Sequence, residues 1–179
     1  MRKAIWAVAL VGMMVAGLFA SAEALTFHAT LEGSQEVPSN ASPATGFAKI
    51  FLNEAEDELT FFVTFSGLLA PQTAAHIHAL APRGVNAPVR IEPPTLPLGE
   101  LDGVVIDIPD PLPGVPLLSR ADFVQGMKDG LTYFNVHTQL FPGGEIRGQI
   151  LLPEPATMFL VGAGLAGLAG MRWVRGRRR

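Results

Sequence analysis

His76 and His78 stand one residue apart in Ala74-Ala75-His76-Ile77-His78, and His137 closes Tyr133-Phe134-Asn135-Val136-His137. Imidazole is the commonest metal-ligating side chain, and three of them with one water complete a zinc or copper sphere. In an extended strand, residues two apart point to the same face. His76 and His78 therefore project together while Ile77 turns to the core, and Tyr133, Asn135 and His137 share a face opposite Phe134 and Val136. By the same rule Glu145, Arg147 and Gln149 oppose Ile146, Gly148 and Ile150. If the two histidine segments lie in one sheet, three imidazoles meet beside Glu145 and Arg147. Asn135, Glu145 and Arg147 are then candidates for structural or outer support, with Glu145 as an acceptor that orients a ligating ring. The same pattern also fits an exposed strand face that binds nothing, with Glu145 and Arg147 forming a surface pair worth about 0–1 kcal/mol. His28 falls on the polar face of its strand and is expected to be exposed.

The elements that must position these residues read as short strands. Leu25, Phe27, Ala29 and Leu31 alternate with Thr26, His28, Thr30 and Glu32, and Leu59, Phe61, Val63 and Phe65 alternate with Thr60, Phe62 and Thr64, which is the period of a half-buried strand. Ala44 to Leu52, Ala75 to Ala79, Val89 to Ile91 and Val104 to Ile108 are further strand candidates. Tyr133 to Thr138 and Glu145 to Leu152 are expected to form a hairpin across Phe141-Pro142-Gly143-Gly144. Ser119-Arg120-Ala121-Asp122 has the form of a capping box with Asp in place of Glu, and Gly130 closes the short helix it starts. Many short strands with Gly and Pro turns imply an all-β, antiparallel β-sandwich with one short helix.

The two ends have a different character. Arg2 and Lys3 precede an apolar run from Ala4 to Phe19, and Ala20-Ser21-Ala22 and Ala22-Glu23-Ala24 each offer a small-x-small cleavage frame. That is the form of a signal peptide over residues 1–24, cut by signal peptidase, although a first membrane helix shares its apolar core. At the other end Pro153-Glu154-Pro155 is followed by an apolar segment from about Met158 to Val174, and then by Arg175, Arg177, Arg178 and Arg179. The segment is near the lower limit of roughly 17 residues for a spanning helix, and its arginines should stay cytoplasmic. A permanent membrane anchor fits these features by themselves.

The mean hydropathy of +0.33 owes much to these ends. So does the formal net charge of −3, because Arg2, Lys3, Arg172, Arg175, Arg177, Arg178 and Arg179 all lie outside residues 25–152. The central domain is therefore clearly acidic, which gives nucleic-acid binding no electrostatic support. The absence of cysteine excludes disulfides, thiol chemistry, iron–sulfur clusters and Cys-type zinc sites. No G-x-S-x-G, P-loop, Rossmann or H-E-x-x-H pattern occurs, so no catalytic residue is assigned and a non-enzymatic role is expected. Arg83 and Arg90 are too few for a basic patch, and Asp107 and Asp110 read as solvated.

The tail, with its Pro-Glu-Pro, single span and Arg-rich end in order, resembles the PEP-CTERM sorting signal of Gram-negative bacteria. That resemblance implies recognition by an exosortase, cleavage near Pro153-Glu154-Pro155 in residues 153–179, a precursor in the inner membrane and a mature form at the cell surface or outside it. The segment Leu31-Glu32-Gly33-Ser34-Gln35-Glu36-Val37-Pro38, the His-x-His strand and the hairpin ending Gly144-Glu145-Ile146-Arg147-Gly148-Gln149 together resemble the CHRD domain over about Thr26 to Leu151. A Pro-rich insert from Ile91 to Leu118 departs from that pattern and is expected to alter one rim. The family resemblance implies a binding or structural domain, and the sorting signal implies association with exopolysaccharide or other surface components.

The layout is also similar to copper/zinc superoxide dismutase, a β-sandwich with a His-x-His strand and a distant third copper histidine. Here the bridging imidazole, the zinc cluster and the disulfide have no counterparts, which argues against dismutase activity. The fold is thus expected to be immunoglobulin-like or superoxide-dismutase-like. The alternative to a purely binding or structural role is a zinc or copper module on His76, His78 and His137 with redox activity.

Overall fold

A computed structural model describes residues 24–93 and 100–153 of the 179-residue chain. The leader up to residue 23, the apolar tail segment, and Glu154, Pro155, Arg175, Arg177, Arg178 and Arg179 of the sorting motif lie outside the described residues. Among the described residues no helix is long and apolar enough to cross a membrane.

The described residues are antiparallel β-strands with a single α-helix among them. The strands are β1 (Leu25–Glu32), β2 (Thr45–Leu52), β3 (Glu58–Ser66), β4 (Gln72–Ala79), β5 (Val89–Ile91), β6 (Glu100–Asp107), β7 (Thr132–Thr138) and β8 (Ile146–Gln149). Helix α1 (Arg120–Lys128) precedes β7. It is capped as its sequence implies: Ser119 Oγ accepts from the Asp122 amide, and Gly130 ends the turn at φ +69°. The strands form one sheet in the order β5-β4-β7-β8-β1-β2-β3-β6. Its curl brings the β4–β7–β8 half face to face with the β1–β2–β3 half, so that Phe61 of β3 meets Phe134 of β7 with ring centroids 6.3 Å apart. The two layers expected of a sandwich are thus the two halves of one curled sheet.

Alternation decides which side chains enter the core. Phe27, Ala29 and Leu31, then Ala48, Ile50 and Leu52, then Leu59, Phe61 and Val63 fill it from one half. Ala75, Ile77, Phe134, Val136, Ile146 and Ile150 fill it from the other. The seam between halves is β1 against β8, with Glu32 opposite Arg147 and paired backbone hydrogen bonds of 2.9 Å between His28 and Leu151.

The Pro-rich insert supplies β6, which extends the sheet beyond β3, and a loop closed by a bridge between Leu112 and Leu118. Arg90 holds that loop: it is 4% exposed and donates to the carbonyls of Ala79, Pro113 and Pro116. Its planar fork suits such a buried, multiply bonded position.

Candidate metal centre

β4 and β7 pair in register, with His76 opposite Asn135 and Ala74 opposite His137. This places both histidine segments on neighbouring strands and sends His76, His78 and His137 to the side away from the core. That side is covered. β7 is buried along its whole length, because the turn after β1 and the 80–88 loop lie over its polar face. His78 and His137 are each 8% exposed, where the sequence alone left open a solvated strand face.

The three rings offer one nitrogen each, all within 4.8 Å of one another. His76 Nδ1 lies 3.0 Å from His137 Nε2. Metal–nitrogen bonds of about 2.0–2.1 Å at tetrahedral angles set ligand atoms about 3.3 Å apart, so this pair is close to a bound spacing. The other nitrogen of each ring has an oxygen partner. His78 Nδ1 is 2.8 Å from the Ala87 carbonyl, and His137 Nδ1 is 3.0 Å from the Pro142 carbonyl. A carbonyl can only accept, so both rings carry their proton on Nδ1 and leave a bare lone pair on Nε2. His76 Nε2 faces the Glu92 carboxylate at 3.4 Å. Oxygen acceptors behind every ring are the outer support that metal-ligating histidines use to fix tautomer and orientation.

Burial favours the neutral form of two of the rings. It pulls the His78 imidazole down to about 4, outweighing the hydrogen bond to Ala87, and it also lowers His137. Neutral imidazole is the form that binds a metal. His78 Nε2, the atom turned into the cluster, is buried without a hydrogen-bond partner.

Behind His78 lies a stack. The Tyr133 ring is parallel to His78 within 4° at 4.7 Å, and the Arg147 guanidinium covers the Tyr133 ring at 3.4 Å. Arg147 is 1% exposed and donates to the Val85 carbonyl at 2.7 Å and Asn86 Oδ1 at 3.0 Å. The Ala87 amide donates to the Tyr133 hydroxyl at 3.1 Å. Arg147 and Tyr133 therefore clamp the loop whose Ala87 carbonyl sets the His78 tautomer. Asn135, between them and His137, donates to the Glu36 carboxylate at 3.5 Å. Burial raises Glu36 to about 7, more than Arg147 lowers it.

Not every residue of the sequence expectation arrives here. Glu145 accepts from Ser42 Oγ, the Leu69 amide and Thr138 Oγ1, each at 2.7 Å, and touches none of the histidines. It lies at the residue before β8, and its carboxylate reaches the Thr138 side of β7 rather than the His137 side. Its position suits the structural one of the two roles open to it. The carboxylate that faces one of the three rings is that of Glu92, and no salt bridge joins Glu145 to Arg147. His28 is half-buried against Phe47, with centroids 5.4 Å apart, away from the cluster. Glu92, Tyr133 and Glu36 were missed as site residues. The signal for Glu92 lay in pairing: Ile77 sits opposite Ile91, which brings the next residue of β5's chain alongside His76.

Comparison with known proteins agrees with this architecture. A family model described as the CHRD domain matches residues 27–150, and one described as the PEP-CTERM protein-sorting motif matches residues 152–179. No curated protein and no solved structure gives a match.

Proposed function

The chain belongs to the CHRD domain family and carries a PEP-CTERM sorting signal, so it is an exported protein of a Gram-negative bacterium processed by an exosortase; from that premise we propose that its domain binds one zinc or copper ion. The ligands are His76 Nδ1, His78 Nε2 and His137 Nε2. The observation that carries this reading is that each ring's second nitrogen is already turned to an oxygen, of Glu92, Ala87 or Pro142. One nitrogen of each ring is thereby turned toward the other two. The ion would supply Lewis acidity if zinc, or electron transfer if copper, and the chain's own residues orient its ligands and exclude bulk water from two of them.

Metal analysis of the purified full-length chain tests this. About one zinc or copper per chain is expected, with a rise in melting temperature on adding the ion, because a ligand at 100 times its Kd stabilises by about 2.7 kcal/mol. The double variant His76→Ala, His78→Ala should lose both effects. Glu92→Gln should keep the site but weaken it by roughly tenfold, as outer-shell changes do. A chain that takes up neither metal and shows no thermal response would refute the proposal.

The mature domain's place is then the cell surface or the extracellular matrix, with a binding or structural role beside exopolysaccharide or other surface components. The sorting tail supports that reading. Fractionation of cells with and without their exopolysaccharide tests it: the protein should leave the surface fraction when the polymer is removed, and an unchanged distribution would count against the association.

A further inference from the structure

The three nitrogens make a tripod, and a tripod does not complete a zinc or copper sphere. Among the described residues the cluster holds no fourth histidine or carboxylate. Glu92 is the nearest acid, but it faces His76 Nε2, and the two nitrogens of an imidazole point in diverging directions. With Nδ1 turned to the ion, the Glu92 carboxylate stands behind the ring. Glu145 is engaged by Ser42, Leu69 and Thr138, and neither it nor Glu36 has an oxygen within the cluster of ligand atoms.

The site is also reachable. His78 and His137 are buried, at 8% exposed each, but His76 is only partly buried and its side chain is 15% exposed. Water therefore meets the cluster on the His76 edge. Neutral imidazoles leave a bound dication its full charge in a partly desolvated setting, where an anion is attracted far more strongly than in water.

We infer that the ion's fourth position is open on the His76 side and takes a small monoanion from solvent, with hydroxide or water filling it in plain buffer. This rests on the metal reading above. The ligand class follows from the geometry: one free position, one partly exposed edge, and three protein ligands that carry no charge of their own.

Azide is the probe. The full-length chain in detergent is loaded with one equivalent of copper(II), washed free of excess metal and titrated with sodium azide. A new azide-to-copper charge-transfer band that saturates at one azide per copper is the expected result. A copper spectrum that stays unchanged through excess azide would mean a closed sphere; it would overturn this inference while leaving the metal reading intact. A chain that retains no copper would overturn both. The His76→Ala, His78→Ala chain treated in the same way should give no band, and an equal band from it would assign the azide to adventitious copper and overturn the inference.

Discussion

His78 and Glu36 are two buried titratable groups whose environments act on stability in opposite directions. Burial lowers His78 from 6.5 to about 4, so below pH 6.5 the unfolded chain takes up a proton that the folded chain refuses. Stability from this group is complete above 6.5 and is lost as pH falls toward 4. Burial raises Glu36 from 4.5 to about 7, so its contribution is complete below 4.5 and is lost as pH rises toward 7. Between these limits the slopes oppose each other. His137, also lowered by burial, adds to the His78 limb, so the melting temperature of the metal-free chain should rise only shallowly from pH 5 to about 6.5. Glu36→Gln removes the falling limb and leaves those of His78 and His137, so its melting temperature should climb with pH by several degrees over that window. Parallel curves for the two proteins would show that Glu36 is not held protonated. The site histidines themselves were legible from the His-x-His spacing and strand alternation. Glu92 was not, because it sits in a Pro-rich stretch with no motif and becomes a partner only through the pairing of β5 with β4.

At the scale of elements, the seam between β1 and β8 decides whether the sheet curls into two facing halves. Gly148 lies on that seam, and a Cβ there would collide with the Thr30 carbonyl and press on Leu31. Both the added atom and the carbonyl are fixed by backbone, so no side-chain rotation relieves the overlap. Gly148→Ala should cost about 1–3 kcal/mol, the range for overpacking a close-packed interior, and lower the denaturant midpoint accordingly. Gly143→Ala, whose added carbon meets nothing within 4 Å, is the control and should be near neutral. An unchanged midpoint for Gly148→Ala would show that the seam yields. The strands themselves were readable from period-two alternation, because each buries one face. The covering of the second face of β7 was not, since it depends on loops from distant parts of the chain meeting Arg147, Tyr133 and Gln149. Arg90 shows the same limit. It reads as a stray surface cation, but folding surrounds it with three carbonyls of the 79–116 region.

At the scale of the whole molecule, the address and the domain are separable in sequence. The sorting motif matches from residue 152, just past the last bridge at Leu151. Replacing Pro153-Glu154-Pro155 by alanines should leave an unprocessed precursor in the inner membrane, visible as a larger band in the membrane fraction. Normal processing of that variant would place the recognition elsewhere. The sequence by itself determined the export address, the all-β class, and the three histidines as the chemically pointed residues. These depend on order and periodicity, which are local properties of a chain. Only the tertiary structure decided that the rings converge, that Glu92 rather than Glu145 stands behind one of them, and that the 80–88 loop covers His78. Those outcomes turn on strand pairing and on which loops cross which face, and both are set by contacts between residues far apart in the chain.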